Sequence, residues 1–224
     1  MGSHSWEVLS RLPVEVPDAL ARRAEAWSPD SVAATPALSA SVILVRDGIE
    51  GIETYLLHRH ARMPFAAGMV VFPGGRVDPA DDSDGRDPVR ACALRETTEE
   101  TGVQLGDHHL QPWAHWITPE MEPRRYDTHF FLAAMPPFQT ARDISGETDR
   151  ALWARPADAL RQAADSVIAL MPPTLSILLE LADVGSVKGA LSLAAERRVD
   201  VVLPVLTRAG RRWVFSYPGG VDRA

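Results

Sequence analysis

The segment DPVRACALRETTEETG, residues 87 to 102, constrains the fold more than any other stretch because both of its ends are fixed by local chemistry. Asp87 offers an N-cap side chain, and Pro88 has the preset φ and missing N–H that suit the first helical position. Gly102 can take the left-handed conformation that closes a helix. A helix over residues 88–101 is therefore expected, and strand-like blocks flank it on both sides. Upstream, Ser41 to Arg46 and Glu53 to His58 are separated by a loop opening on Asp47-Gly48, the pattern of a hairpin. MVVFPGG, residues 69 to 75, reads as a short strand ending where backbone must approach something closely. Downstream, residues 112–118, 126–135 and 148–155 read as strands, and helices are expected after Arg155, Pro173 and Val184. A final strand pair turns at Ala209-Gly210. This order predicts an α+β fold with a mixed sheet rather than a regular βαβ series.

Residues 1–37 read as an N-terminal arm with one short helix, DALARRAEAW, entered after Pro17, and the opening MGSHS is set aside as resembling a cloning remnant. Residues 38–224 then form the main domain, with C-terminal helices and closing strands. At 224 residues and 46% hydrophobic content the chain can build one large core. A net charge of -7 argues against a nucleic-acid surface built on bulk charge and leaves room for a local basic pocket for a small phosphorylated partner. The single cysteine, Cys92, excludes an intrachain disulfide and a cysteine-based zinc site, and reads as a small buried residue. No apolar run is long enough for a membrane span and no signal-peptide core is present, so neither membrane nor export is expected, and the location expected is cytoplasmic. The acidic stretch RVDPADDSDGRDP fails as an EF-hand loop because Ala80 and Ala91 occupy its first and twelfth positions.

The chemistry concentrates on the expected helix. At 100° per residue Glu96, Glu99 and Glu100 share one face, with Glu96 and Glu100 an i,i+4 like-charge pair. Arg95 is spaced to pair with Glu99, while Ala91, Leu94 and Thr98 are expected on the opposite side, against the sheet. Two readings stay open from spacing alone: a solvated acidic face, or carboxylates gathered for a hard divalent cation such as magnesium. His115 and His129 lie on expected strands and read as core or edge histidines.

FPGG at 72 to 75 followed by RETTEETGV at 95 to 103 resembles the signature of the Nudix hydrolase family, with the arginine, three glutamates and glycine in register. Thr97 stands where that family usually has an apolar residue, and the interval from Gly75 to Arg95 is six residues longer than usual, leaving the family's loop glutamate without a clear counterpart. The resemblance implies a Nudix α/β/α sandwich and hydrolysis of a nucleoside diphosphate linked to another moiety. It further implies Mg2+ or Mn2+ held by Glu96, Glu99, Glu100 and the Gly75 carbonyl, with Arg95 orienting a glutamate. Glu147 in SGETDRALW is the implied general base, with Glu120 and Glu122 as rivals. LLHRHARMPFAAGMVVFPGGRVDPAD, residues 56 to 81, is similar to the segment that marks the coenzyme A diphosphatase branch, with departures at His60 and Pro64. Coenzyme A or an acyl derivative would then be cut to 3',5'-ADP and (acyl-)4'-phosphopantetheine. Arg59, Arg76 and Arg124 are the implied substrate-binding residues, and Arg62 and Arg125 are further candidates for its 3'-phosphate. Alternatives are an ADP-ribose, NADH or nucleotide-sugar pyrophosphatase, and a nucleotide-sensing module without turnover. The same resemblance admits a homodimer.

Overall fold

Strand β1 (Ala37–Gly48) divides the molecule, because successive side chains of a strand point to opposite faces of its sheet. In the computed structural model, which describes residues 4–28, 30–60, 68–82, 85–144, 146 and 148–217, both faces of β1 are covered. Ala40, Val42 and Leu44 enter one core, and Ile43 and Val45 enter the other. Around it run β2 (Gly51–Arg59), β3 (Met69–Val71), β4 (Gly74–Arg76), β5 (Gln111–Ile117), β6 (Tyr126–Ala134), β7 (Thr148–Ala154), β8 (Ala169–Leu170) and β9 (Val201–Val202). The spatial order is β8-β3-β2-β1-β6-β5-β9, with β4 added to β1 and β7 to β2. β1 is antiparallel to β2 and parallel to β6, so the sheet is mixed as expected.

The first core is closed by a helix layer. α5 (Pro172–Val184) contributes Ile177, Leu178 and Leu181, and α6 (Val187–Glu196) contributes Ala190 and Ala194, against Trp113, Phe130 and Leu132. Two shorter helices, α1 (His4–Leu9) and α4 (Pro156–Ala164), extend this layer through Leu9 and Ala159. A pair between Arg197 and Glu180 at 3.0 Å, with both side chains only 4% exposed, packs against Trp113, the guanidinium sitting over its ring at 4.3 Å. The second core lies on the other face. There α3 (Pro88–Thr101) sets Val89, Cys92 and Ala93 against β1, β2 and β6. Each fully buried side chain such as Leu57 or Leu44 contributes about 1.5–3 kcal/mol by leaving water. Two faces, each with its own helices, give the α/β/α sandwich.

The N-terminal segment is packed. α1 and the turn after it place Val8, Leu9 and Leu12 at 5% exposure or less, so the helix that begins at His4 runs into the residues set aside from the sequence. α2 (Asp18–Ala26) packs Leu20 and Ala24 on Leu206 of a separate hairpin, β10 (Val205–Ala209) and β11 (Arg212–Ser216). A bridge between Glu15 and Val214, and a hydrogen bond from the Phe215 N–H to the Val14 carbonyl at 2.8 Å, join the two ends of the chain. MVVFPGG resolves into two short strands rather than one, because Pro73 interrupts the ladder between β3 and β4.

Candidate active site

α3 starts and stops where its caps dictate. The Asp87 carboxylate accepts the Val89 N–H at 2.9 Å, and Gly102 sits at φ 71° with its N–H returned to the Thr98 carbonyl. The face it buries differs from expectation: Val89, Cys92, Ala93, Thr97, Glu100 and Thr101 point inward, whereas Thr98 is exposed and Ala91 and Leu94 are only half-buried. The reason is the 3.6-residue repeat, which puts 89, 93, 96, 97 and 100 on one stripe. Glu96 and Glu100 therefore share the buried side with the apolar residues. Thr97 fits this inward position by donating its hydroxyl to the Ala93 carbonyl at 2.7 Å, leaving its methyl for packing.

The glutamates meet a Gly-Gly backbone. β4 pairs with β1 through Gly74↔Ser41 and Gly75↔Ala40, and the Gly74 N–H donates to Glu100 Oε2 at 2.8 Å. A methyl group at Gly75 would stand 2.2 Å from Glu96 Oε1, and one at Gly74 would stand 2.3 Å from the Ala40 carbonyl. Backbone contact makes Gly74 sterically obligatory, whereas a side chain at Gly75 would displace the Glu96 carboxylate. The Gly75 carbonyl accepts the Cys92 thiol at 3.5 Å, and burial pushes that thiol up to about 12, so it is an inert packing group.

Arg95 organises the exposed side of the cluster. Its guanidinium grips Asp81 with two bonds of 2.9 Å, reaches Glu96 at 2.8 Å and Glu99 at 3.0 Å, and donates to the Arg76 carbonyl at 3.1 Å. The expected Arg95–Glu99 pair is one part of this arrangement. Asp81, nearly buried, was not foreseen: it also accepts the Asp78 N–H at 2.8 Å, closing a short 3-10 turn, Pro79–Asp82. The Asp-x-x-Asp spacing from 78 to 81 is the sequence signal for that turn. The Arg95 guanidinium holds the Asp81 carboxyl below the usual carboxylate range, and the Arg95 pKa is raised in turn. Burial raises Glu96 against the opposing pull of Arg95. Glu99 is the open member of the group, with 58% of its side chain exposed.

Three carboxylates, Asp81, Glu96 and Glu99, thus share one guanidinium, with a fourth, Glu100, on the next turn. Hard oxygen donors with surplus negative charge, beside a glycine carbonyl, match the requirements of a divalent cation such as Mg2+ or Mn2+.

The implied substrate residues are dispersed. Arg76 follows Gly75 directly and its side chain is exposed. Arg124 is exposed in the loop before β6, and Arg125 instead ties Thr118 and Ala34 carbonyls at 3.0 and 2.9 Å. Arg59 ends β2 with a buried Nε that has no hydrogen-bond partner among the described residues. Arg62, Pro64 and Glu147 lie outside the described residues. Of the rivals for the base, Glu120 is exposed and Glu122 is paired with Arg23 at 3.0 Å.

A cavity of about 500 Å3 opens next to the Gly-Gly seam. Ser41, the β1 partner of Gly74, lines it together with Phe72, Trp116, Phe130, Leu175 and Phe215, so its wall is largely apolar, with Glu15 and Glu122 among the polar exceptions. Pro13, Leu20 and Phe215 bring both ends of the chain to its rim.

A family model described as the NUDIX domain matches residues 35–172. The mitochondrial coenzyme A diphosphatase NUDT8 of Homo sapiens is 33% identical over 132 residues, 57% of this chain and 52% of that protein. The peroxisomal coenzyme A diphosphatase ndx-8 of Caenorhabditis elegans is 39% identical over 69 residues, 31% of this chain and 28% of that one. The chain therefore spans about half, or less, of the length of these curated relatives. Among solved structures, a NUDIX hydrolase from Alicyclobacillus acidocaldarius superposes with a TM-score of 0.64 at 25% identity, covering 70% of this chain and 96% of that one.

Proposed function

This chain belongs to the NUDIX family of hydrolases, and we propose that it cuts coenzyme A, or an acyl derivative, at the diphosphate to give 3',5'-ADP and (acyl-)4'-phosphopantetheine. The observation that carries this reading is the largely apolar cavity of about 500 Å3 on the face of the sheet opposite α3, whose Ser41 is the register partner of Gly74, the residue that donates to Glu100. A diphosphate held at the glutamates leaves its two arms to be placed, and such a cavity suits a weakly polar one. The similarity to two coenzyme A diphosphatases supports the same choice.

In this reading Glu96, Glu99, Glu100 and the Gly75 carbonyl hold Mg2+ or Mn2+. When bound, the ion supplies charge neutralisation for the diphosphate and Lewis-acid activation of water and phosphoryl oxygen. The remaining work belongs to the chain. The Gly74 N–H fixes the direction of Glu100, and Asp81 anchors Arg95 so that one guanidinium orients both Glu96 and Glu99. Bare Gly75 lets Glu96 approach the backbone. Glu147 is retained as the base that takes a proton from the attacking water. Arg59, Arg76 and Arg124 are the cations offered to the phosphates of the adenosine arm.

Mass analysis of products from a panel of diphosphates, each with Mg2+ and with Mn2+, tests the proposal. Release of 3',5'-ADP from coenzyme A is expected. AMP released from ADP-ribose, NADH or a nucleotide sugar, with coenzyme A left intact, overturns the substrate assignment, and tight binding without turnover overturns catalysis.

A further inference from the structure

A second constellation stands apart from α3. His115 on β5 pairs across the ladder with His129 on β6, and Asp127 lies two residues before His129 on the same strand. Period-2 alternation puts Asp127 and His129 on one face with Phe131 and Ala133, the face that α3 covers. Three polar groups thus occupy one continuous row of a face that is otherwise apolar. His115 Nε2 is hydrogen-bonded to Asp127 Oδ1, and His129 Nε2 lies 3.8 Å from the same oxygen. The imidazoles stack with centroids 3.9 Å apart and planes at 26°. All three ligand atoms fall within 4.8 Å of one another, and they form the one such group of three among the described histidine, cysteine and acidic residues.

We propose that His115, Asp127 and His129 form a binding site for a borderline transition-metal dication of the zinc class, distinct from the glutamate site of α3. Two imidazoles and one carboxylate are the donor set that suits Zn2+, Co2+ or Ni2+ rather than Mg2+, which prefers oxygen alone. Zinc–ligand bonds of about 2.0–2.1 Å set ligand atoms of a tetrahedral site roughly 3.3 Å apart. The His129–Asp127 separation of 3.8 Å needs an adjustment of only about half an ångström to reach that value, while the His115–Asp127 hydrogen bond must open and be replaced by bonds to the ion. The side chains are 17%, 25% and 35% exposed for His115, Asp127 and His129, so an ion can enter and water can complete its shell.

Strand register gives the relation to the other site. Gly75 pairs with Ala40, Ala40 with His129, and His129 with His115, forming one row across four strands. At about 4.8 Å per strand, the Gly75 backbone stands roughly 10 Å from that of His129, too far for a shared ion. An ion here would clamp β5 to β6.

Zn2+ titrated by calorimetry into the metal-depleted full chain tests the inference, repeated in the Glu96→Gln/Glu99→Gln/Glu100→Gln variant that disables the α3 carboxylates. One equivalent in the triple variant, and in the wild-type chain an equivalent that millimolar Mg2+ leaves undisturbed, is expected, with a visible Co2+ absorption band when Co2+ replaces Zn2+. Zn2+ at a hundredfold excess over its Kd should raise Tm by about 5–10 °C. His129→Ala and Asp127→Asn should each weaken binding by more than about 100-fold, beyond the loss caused by an outer-shell partner. Should His129→Ala prove unfolded, the isosteric Asp127→Asn decides alone. Absence of Zn2+ binding in the triple variant, or binding untouched by Asp127→Asn, overturns the site. None of the three residues lies on α3, so this result and the coenzyme A assay can fail independently.

Discussion

Removing one charge at Asp81 tests the organisation of the glutamate face most directly. Asp81→Asn keeps the size of the side chain but turns a bidentate acceptor into an amide whose NH2 confronts the Arg95 donors. The carboxylate is 4% exposed and accepts two bonds of 2.9 Å from Arg95 and one of 2.8 Å from the Asp78 N–H. Breaking a buried pair by neutralising one partner costs about 3–5 kcal/mol. Arg95 retains Glu96 and Glu99, so the lower end of that range, about 3 kcal/mol, is the expected loss. For a chain of this size that lowers Tm by roughly 6–12 °C. The pH dependence has a definite sign. Because the folded pKa of Asp81 is depressed, its stabilisation is present above the ordinary carboxylate value of about 3.9 and is lost as pH falls through the folded value. Thermal melts of wild type and Asp81→Asn should therefore differ at pH 7 and converge in acid. The freed guanidinium should also lean on Glu96 and Glu99 and compete with the cation, so half-maximal activity should require about tenfold more Mg2+, the lower bound for losing a partner outside the ligand shell. Equal Tm values at pH 7 together with an unshifted Mg2+ requirement would refute the view that Asp81 holds Arg95 in place.

Glu100→Gln should lose at least about 100-fold in kcat while folding normally, since its amide oxygen can still accept the Gly74 N–H; unchanged turnover would remove Glu100 from the metal set. Gly75→Ala should cost about 1–3 kcal/mol and depress activity, because the new methyl would lie 2.2 Å from Glu96 Oε1, and a wild-type melting curve would show that the seam relaxes freely. Glu96 has a raised folded pKa, so its contribution to the ion-free protein favours folding in acid and fades as pH rises through that value. Glu96→Gln should accordingly raise the Tm of the metal-depleted protein at pH 7 while abolishing activity, and a lowered Tm would contradict this account. Glu147→Gln should slow the reaction mainly where a base must be deprotonated, which a pH–rate profile reads, and an unaltered profile would move the base elsewhere.

Local chemistry made α3 legible to its terminal residues, because Asp87, Pro88 and Gly102 each act within a few positions along the chain. The hairpin of β1 and β2 and the three later helices followed from the same kind of signal. What escaped depends on contacts across long sequence separations. The inward face of α3 could not be read from the acids alone, since the Gly74 N–H that meets buried Glu100 comes from β4, 26 residues upstream. Asp81 was hidden in an acidic loop whose charge suggested solvent, yet the fold turns that residue onto Arg95. His115 and His129 gave no signal singly, and the register of β5 on β6 joins them. The alternation Asp127-Thr128-His129 at the start of β6 was the available clue, as period 2 already puts its acid and histidine on one face.

The stitching of Glu15 to Val214 and of Phe215 to Val14 bears on how this protein is handled. A fragment trimmed to 35–172, the span of the family match, would keep α3 but shed Leu9, Leu12, most of α5 and all of α6. One side of the sheet, including Trp113 and Leu132, would then meet solvent as a broad greasy plane, and such planes drive aggregation. The family match therefore marks one span of the fold, whereas the residues that cover one side of its sheet come from segments on either side of that span.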